Sequence, residues 1–200
     1  MSRGAPAPAL AVCASGGGRS LENLAQVIAR GELDARIALV IADRPSSGAL
    51  GRAERLGIPH RLIAPAERGD VEGFSDRVFA AVAGAGATLV VLAGFLRLLR
   101  IPPAWQGRVL NIHPSLLPAF GGQGYYGDRV HRAVLERGVQ FTGCTVHYVD
   151  NEYDAGPILL QRCVPVLPED DVDSLAARVF EEEKLALPEA IRRHLAAPSS

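Results

Sequence analysis

Short apolar segments alternate with amphipathic segments along the first two thirds of the chain. Several of the apolar segments lack polar alternation, which is typical of strands that are buried on both faces of a sheet. Strands are predicted at residues 9–15, 35–42, 60–64, 88–94 and 108–112. Helices are predicted between them at residues 20–31, 47–57 and 71–86, with Gly31, Gly57 and Gly84 placed to end them. Alternation at this spacing indicates an α/β fold with a mostly parallel, open twisted sheet.

The last third of the chain has a different pattern. After a predicted helix at 129–138, two apolar segments at 139–149 and 157–167 are separated by only seven residues. Seven residues are too few for a parallel crossover, so we expect these strands to pair as an antiparallel hairpin. Residues 169–196 begin with acidic capping residues and continue as a C-terminal helix. The whole pattern fits a single domain over residues 1–200, with its core at about 9–195.

The composition argues against several classes of partner. Of the 200 residues, 21 are basic and 22 acidic, so the chain lacks the positive excess that is usual in proteins that bind nucleic acid or anionic membranes. No apolar run approaches the roughly 18 residues of a membrane span, and no signal peptide is evident, so we expect a cytoplasmic protein with small-molecule partners. The three cysteines, Cys13, Cys144 and Cys163, have no zinc-ligand spacing. We expect three buried thiols and no metal site.

A glycine-rich segment follows the first predicted strand and begins the first helix. Gly16, Gly17 and Gly18 lead directly into Arg19. Glycines let the backbone turn tightly and approach a ligand, and the amino terminus of a helix offers N–H groups to an anion. The segment is neither a dinucleotide fingerprint nor a P-loop, so it favours a single phosphate over a pyrophosphate. A tight turn without a ligand is the alternative at this point.

Two polar side chains interrupt the strand predicted at 108–112. Asn111 and His113 are two residues apart and therefore point to the same side of the strand at its carboxyl end. Open α/β sheets bind their ligands at this edge, which makes the pair a candidate catalytic site. His147 is interpreted as a packed histidine within a strand. The remaining histidines are interpreted as surface or edge residues, namely His60, His131 and His194.

An acidic candidate lies in the predicted hairpin connection. Asp154 precedes Ala-Gly-Pro, a context that is typical of a turn residue. The alternative is a carboxylate that orients His113 and favours the protonated imidazole, as an opposite charge within a few ångström does. Asp150 and Glu152 in the same connection are weaker candidates for that role.

Three segments together resemble the motifs of the folate-dependent formyltransferases. They are NIHPSLLP at 111–118, VVLAGFLRLL at 90–99 and DNEYDAGPI at 150–158. The likeness extends over about residues 9–195 and implies a Rossmann-like formyltransferase fold. A fourth segment, SGGGRSLENL at 15–24, is similar to members that use 10-formyltetrahydrofolate as cosubstrate. In those members the formyl group passes to the amine of 5'-phosphoribosylglycinamide, a step of purine synthesis.

The resemblance also implies a set of site residues. Asn111, His113 and Asp154 would be catalytic, with Asn111 and protonated His113 donating to the formyl oxyanion. The substrate phosphate would lie on Gly18, Arg19 and Ser20, and Glu183 would face the substrate. The folate pocket would be lined by Leu96, Arg97, Leu98, Leu99, Asn111, Asp150, Glu152 and Asp154.

Two features depart from the family's usual pattern. Members typically have Ser and Asn where Arg19 and Ser20 stand, so Arg19 adds a charge near the phosphate. The loop at 119–131 is longer than the commonest form, and its glycines and aromatic residues make it a candidate lid. Two competing interpretations stay open: a formyltetrahydrofolate hydrolase without its regulatory domain, and a non-catalytic nucleotide-binding module. The sequence is compatible with a monomer or a homodimer.

Overall fold

The structure, a computed structural model, describes residues 7–67 and 69–197, and its strands form a seven-stranded sheet. The strands are β1 (Ala9–Ala14), β2 (Arg36–Ala42), β3 (His60–Leu62), β4 (Leu89–Ala93), β5 (Val109–His113), β6 (Phe141–Tyr148) and β7 (Ile158–Pro165). Their order is β3-β2-β1-β4-β5-β6-β7. Strands β1 to β5 pair in parallel, whereas β6 is antiparallel to both β5 and β7. The predicted parallel sheet and the β6–β7 hairpin are confirmed.

Helices cover both faces of this sheet. They are α1 (Arg19–Ala29), α2 (Gly48–Arg55), α3 (Val71–Gly84), α4 (Asp128–Arg137) and α5 (Val172–Ala196), and a short 3-10 helix spans Pro103–Trp105. Helix α3 packs on one face through Phe74 and Val78, and the other four pack on the opposite face. The left-handed position after α3 is Gly86, two residues beyond the predicted stop at Gly84. Within the described residues, none of the helices combines the length and the hydropathy of a bilayer-spanning segment.

The path of the chain reverses beside β1. From β1 the chain proceeds outward to β2 and β3, and then returns to β4 on the other side of β1. At such a point the loops that leave the carboxyl ends of neighbouring strands diverge, and a crevice opens between them. The loops in question are the glycine loop, residues 15–18, and the segment 94–102 after β4. The Asn111–His113 pair lies on the adjacent strand β5, so all three candidate regions meet at one edge.

The prediction of three buried cysteines is wrong for one of them. Cys13 and Cys144 are buried, and burial raises the pKa of each thiol to about 12. Cys163 is exposed because it lies on β7, an edge strand, where alternate side chains face solvent. Its neighbour Val164 points into the core.

Helix α5 continues through a proline. Pro188 has no N–H, so the carbonyl of Lys184, four residues earlier, lacks its helical donor. The side-chain amide of Asn23 on α1 donates to that carbonyl at 2.9 Å. The Lys184 carbonyl, which has no backbone donor within α5, therefore links α5 to α1 through the Asn23 side chain.

Asn23→Ala is expected to destabilise the fold by about 1–2 kcal/mol, because the partly buried Lys184 carbonyl then has no donor. In a Pro188→Ala background, the new N–H at position 188 restores the helical bond, and the same substitution should destabilise less. Urea unfolding of the four proteins gives the comparison. If Asn23→Ala lowers the free energy of unfolding equally in both backgrounds, the hydrogen bond from Asn23 to the Lys184 carbonyl is not the source of the destabilisation.

Candidate active site

A cavity of about 600 Å³ opens at the carboxyl edge of the sheet. It is lined by the glycine loop, the ends of β4 and β5, the loop before α4, and Phe180 and Glu183 of α5. The sheet topology favours a ligand at this position. In the part of the chain that the structure describes, no group of three or more His, Cys, Asp or Glu side chains is arranged to hold a metal ion.

Four polar side chains form a connected cluster beside the cavity. His113 Nδ1 lies 3.5 Å from Asp154 Oδ2, and Asn111 Nδ2 lies 3.3 Å from Asp154 Oδ1. Asn111 Nδ2 is also 3.0 Å from His147 Nε2, and that nitrogen is 3.5 Å from Asp154 Oδ1. The structure thus brings together Asn111, His113 and Asp154, and it adds His147 to them.

His147 is the member of the cluster that sequence reasoning missed. It is buried, as expected of a packed histidine, but the pairing of β6 with β5 sets it directly opposite Asn111. Directly opposed residues on neighbouring strands project from the same face of a sheet. Its Nδ1 is 2.9 Å from the Tyr148 carbonyl oxygen, which only accepts, so Nδ1 carries the hydrogen. Nε2 of the neutral ring then accepts from Asn111.

The hydrogen bonds of His113 determine which nitrogen titrates. Nε2 lies 2.8 Å from the Phe120 carbonyl oxygen, so Nε2 carries a hydrogen in both charge states. The second proton of the cation therefore resides on Nδ1, which faces Asp154. Burial lowers the pKa of His113, and the charge of Asp154 offsets this only in part. The charge of Asp154 thus favours the protonated imidazole, as the sequence predicts, but burial has the larger and opposite effect on the pKa of His113.

Asp154 is held in place by its backbone conformation and by the loop after β5. Its φ of 55° lies in the left-handed region, which aspartate adopts more readily than most residues. The Gly122 N–H donates to Asp154 Oδ2 at 2.9 Å. Burial acts to raise the pKa of Asp154, but the neighbouring His147 ring, the His113 charge and the Gly122 N–H together lower it. An ionised carboxylate is thereby kept between the two imidazoles.

The glycine loop directs its amide groups away from α2. Ser47 Oγ donates to the Gly16 carbonyl at 3.0 Å, and Arg52 Nε donates to the Gly17 carbonyl at 2.7 Å. In a trans peptide the N–H points opposite to the C=O, so the N–H groups of Gly17 and Gly18 point away from α2. Gly18 has φ of 78°, and a Cβ there would lie 2.8 Å from the α2 backbone, so glycine is required. The loop is therefore suited to bind an anion.

The other residues predicted for the phosphate substrate lie next to this loop. Gly18, Arg19, Ser20 and Glu183 all line the cavity. The guanidinium carbon of Arg19 lies 4.2 Å from the centroid of the Phe180 ring. Burial raises the pKa of Glu183 to about 7, although the charge of Arg19 opposes the shift. Glu183 therefore changes its protonation state near neutral pH.

Three of the residues predicted to hold the folate line the cavity, namely Leu96, Asn111 and Asp154. The segment that carries Leu96 is anchored by two serine hydroxyls. Ser15 Oγ accepts from the Leu96 N–H at 2.9 Å, and Ser75 Oγ accepts from the Arg100 N–H at 2.8 Å. The segment that brings Gly94, Phe95 and Leu96 to the cavity wall is therefore anchored by two hydrogen bonds.

The remaining residues predicted for the folate pocket have other contacts. Arg97 Nε donates to the buried Asp43 at 2.8 Å, and Leu99 packs in the core on the α3 side. Asp150 accepts from the Glu152 N–H at 2.9 Å within the β6–β7 connection. The described lining of the cavity does not include these residues. A role in the folate pocket stays a prediction for five residues, namely Arg97, Leu98, Leu99, Asp150 and Glu152.

The interpretation of His131 as a surface residue is wrong. His131 lies on α4, is buried and lines the cavity. The amphipathic pattern of α4 indicates a polar face but not what packs against it. In the structure, residues of the glycine loop and of α5 line the same cavity as His131. Burial lowers the pKa of His131. Among the described residues, its Nδ1 has no hydrogen-bond partner.

The long loop before α4 lies over part of the cavity. Three of its glycines have positive φ values, with 92° at Gly122, 96° at Gly124 and 50° at Gly127. Tyr125 and Tyr126 line the cavity and are exposed over 40% and 39% of their surface. This placement is compatible with the lid that the sequence predicts, and its motion stays a prediction.

The fold and this geometry define a class of site. An amide, an imidazole and a carboxylate can stabilise an oxyanion and move a proton, and a loop suited to bind an anion shares their cavity. Residues 9–191 match the family model described as formyl transferase. The chain therefore belongs to the formyl transferase family, and membership implies a formyl donor of the folate type.

Two phosphoribosylglycinamide formyltransferases match most of the chain in sequence. It is 40% identical over 177 residues to the chloroplastic phosphoribosylglycinamide formyltransferase of Vigna unguiculata, a match over 87% of this chain and 56% of that protein. It is 32% identical to the phosphoribosylglycinamide formyltransferase of Haemophilus influenzae, over 92% of this chain and 85% of that protein. The crystal structure of glycinamide ribonucleotide transformylase 1 from Symbiobacterium toebii has a TM-score of 0.85 at 40% identity, over 93% and 86% of the two chains. The chain thus spans little more than half the length of the plant relative.

Proposed function

We propose that this chain transfers the formyl group of 10-formyltetrahydrofolate to the amine of 5'-phosphoribosylglycinamide. The observation that carries the proposal is the cluster of Asn111, His113 and Asp154 in the same cavity as a phosphate-type loop. Relatives that bear the name of this activity support it. In the reaction, the amine nitrogen bonds to the formyl carbon, the bond from that carbon to N10 breaks, and a proton passes from the amine to N10.

Amine attack turns the formyl oxygen into an oxyanion, and Asn111 is its amide donor. The Asn111 amide lies 3.0 Å from His147 Nε2 and 3.3 Å from Asp154 Oδ1. The oxyanion replaces the longer of these two contacts, while the bond to His147 keeps the amide oriented. A preorganised donor of this kind lowers the barrier by roughly 3–4 kcal/mol.

His113 and Asp154 supply charge and move the proton. Protonated on Nδ1, His113 is a charged hydrogen-bond donor to the oxyanion. Its partner Asp154 takes the amine proton through a water and passes it to N10. Burial lowers the pKa of His113, and the single charge of Asp154 offsets this effect only in part. Without substrate, the ring therefore loses its Nδ1 proton easily. The oxyanion is a second negative charge, and it favours the proton on Nδ1 when the transition state forms.

The assay that tests the proposal follows 10-formyltetrahydrofolate with and without 5'-phosphoribosylglycinamide. We expect folate consumption to require the amine and to yield one formylated product for each folate consumed. Consumption that is independent of the amine would make water the acceptor and the chain a hydrolase. Nucleotide binding without consumption of folate would favour a binding module.

Arg19→Ala is expected to raise KM for 5'-phosphoribosylglycinamide about tenfold, because a charge-assisted hydrogen bond to phosphate is lost. KM for 10-formyltetrahydrofolate should change less. Steady-state kinetics with each substrate varied in turn give both constants, and Arg30→Ala, an exposed arginine at the other end of α1, is the matched control. A larger rise in KM for 10-formyltetrahydrofolate than in KM for 5'-phosphoribosylglycinamide would mean that the positions of the two substrates in the cavity are the reverse of those proposed.

A further inference from the structure

Phe180 is the side chain that meets Arg19 across the α1–α5 interface. The 4.2 Å separation of guanidinium carbon and ring centroid is a cation–π contact, and both side chains line the cavity. A guanidinium that contacts a ring through its face keeps its N–H donors at its edge. Within residues 7–67 and 69–197, Arg19 donates no hydrogen bond to another residue and forms no ion pair. The ring contact is therefore what orients the guanidinium.

The position of the ring is itself fixed. Asn23, one turn after Arg19, donates to the carbonyl of Lys184, one turn after Phe180, at 2.9 Å. Successive turns of α1 and α5 thus contact each other, and the Arg19–Phe180 pair is the contact nearest the glycine loop. Glu183 lies on the cavity wall, and its carboxyl group, with a pKa raised to about 7 by burial, leaves much of the Arg19 charge uncompensated near neutral pH.

We propose that Phe180 is a positioning residue for the phosphate of the substrate. Its ring holds the Arg19 guanidinium beside the glycine loop, so that the arginine donors reach the same phosphate as the N–H groups of Gly17 and Gly18. Without the ring, the arginine side chain explores more rotamers, and phosphate binding has to order it. The inference rests on the proposed function for the identity of the substrate, but the phosphate contact can be tested with a ligand that undergoes no reaction.

The test is an NMR titration with ribose 5-phosphate, and with ribose as the control that lacks the phosphate. Arg19→Ala is expected to weaken binding of ribose 5-phosphate about tenfold, and Phe180→Leu about fivefold. Phe180→Tyr keeps a π face and should stay within about twofold of the parent. Adding Phe180→Leu to Arg19→Ala should cause no further loss, because the ring acts through the guanidinium.

Three outcomes would overturn the role of Phe180. They are losses that multiply in the double variant, unchanged binding in Phe180→Leu, and a parent protein that binds ribose 5-phosphate no better than ribose. Thermal unfolding of each variant, together with rescue by Phe180→Tyr, separates lost positioning from a lost fold. In steady-state kinetics, KM for 5'-phosphoribosylglycinamide should rise most in Arg19→Ala, less in Phe180→Leu and least in Phe180→Tyr. KM for 10-formyltetrahydrofolate should not follow this order. A parent that shows the binding pattern but transfers no formyl group would remove the proposed function alone.

Discussion

His113→Ala and Asn111→Ala are each expected to lower kcat at least ~100-fold, which is the scale of one oxyanion donor. Both side chains lie at the carboxyl end of β5, within 3.5 Å of the Asp154 carboxylate. Their loss removes donors that act in the transition state, so kcat should fall more than either KM rises. Initial rates at saturating concentrations of both substrates give the number.

The control for these variants is His60→Ala. His60 is exposed on the edge strand β3, so the same chemical change is made outside the cavity. Circular dichroism and thermal unfolding establish that each protein is folded. Near-normal turnover in a folded His113→Ala or Asn111→Ala protein would remove the role assigned to that residue.

The elements that could be predicted are those whose evidence is local. Uninterrupted apolar segments such as 88–94 indicate strands buried on two faces, and the spacing between segments indicates parallel crossovers. The glycine loop was also predictable, because consecutive glycines between a strand and a helix indicate a tight turn that can approach a ligand. The structure gives the reason at Gly18, which has a left-handed φ and no room for a Cβ beside α2. The same-side placement of Asn111 and His113 follows from the period of a strand alone.

The features that could not be predicted depend on non-local packing. His147 joins the cluster because of the register between β5 and β6, which neither strand specifies by itself. His131 and Cys163 were misjudged in opposite directions, since one lies under elements that are distant in sequence and the other on a strand at the edge of the sheet. The net pKa shift of His113 is a balance between burial and the charge of Asp154, and the sequence indicates only the charge.

The two ends of the cavity have separate structural supports. The proposed phosphate end is built from the glycine loop, whose carbonyl groups accept hydrogen bonds from Ser47 and Arg52, and from Arg19 against α5. The proposed catalytic end is built from β5, β6 and the β6–β7 connection. Substitutions at the phosphate end are therefore expected to change substrate affinity with little effect on the chemical step. Substitutions at the catalytic end are expected to slow the chemical step with little effect on substrate affinity.

Asp154→Asn is expected to lower kcat at every pH and to move the alkaline limb of kcat/KM to lower pH. The amide is nearly isosteric with the carboxylate but cannot relay a proton, which accounts for the general loss. The shift of the limb follows from charge: Asp154 raises the pKa of His113 against the larger effect of burial, so removing it lowers that pKa further. The cation exists below the pKa and is lost above it.

A reaction that needs the His113 cation therefore fails at a lower pH in the variant than in the parent. The measurements are a pH–rate profile of kcat/KM and an NMR titration of the His113 imidazole in both proteins, with Asp34→Asn, the same change at an exposed aspartate outside the cavity, as the matched control. His147 lies 3.5 Å from the same carboxylate, so its resonances must be assigned separately. Because Nε2 of His113 donates to the Phe120 carbonyl, the titrating proton is on Nδ1, and its loss should change the Nδ1 chemical shift most. If the imidazole titrates at the same pH in both proteins, Asp154 is a turn residue and a backbone anchor rather than the electrostatic partner of His113, and Asp150 becomes the next carboxylate to substitute.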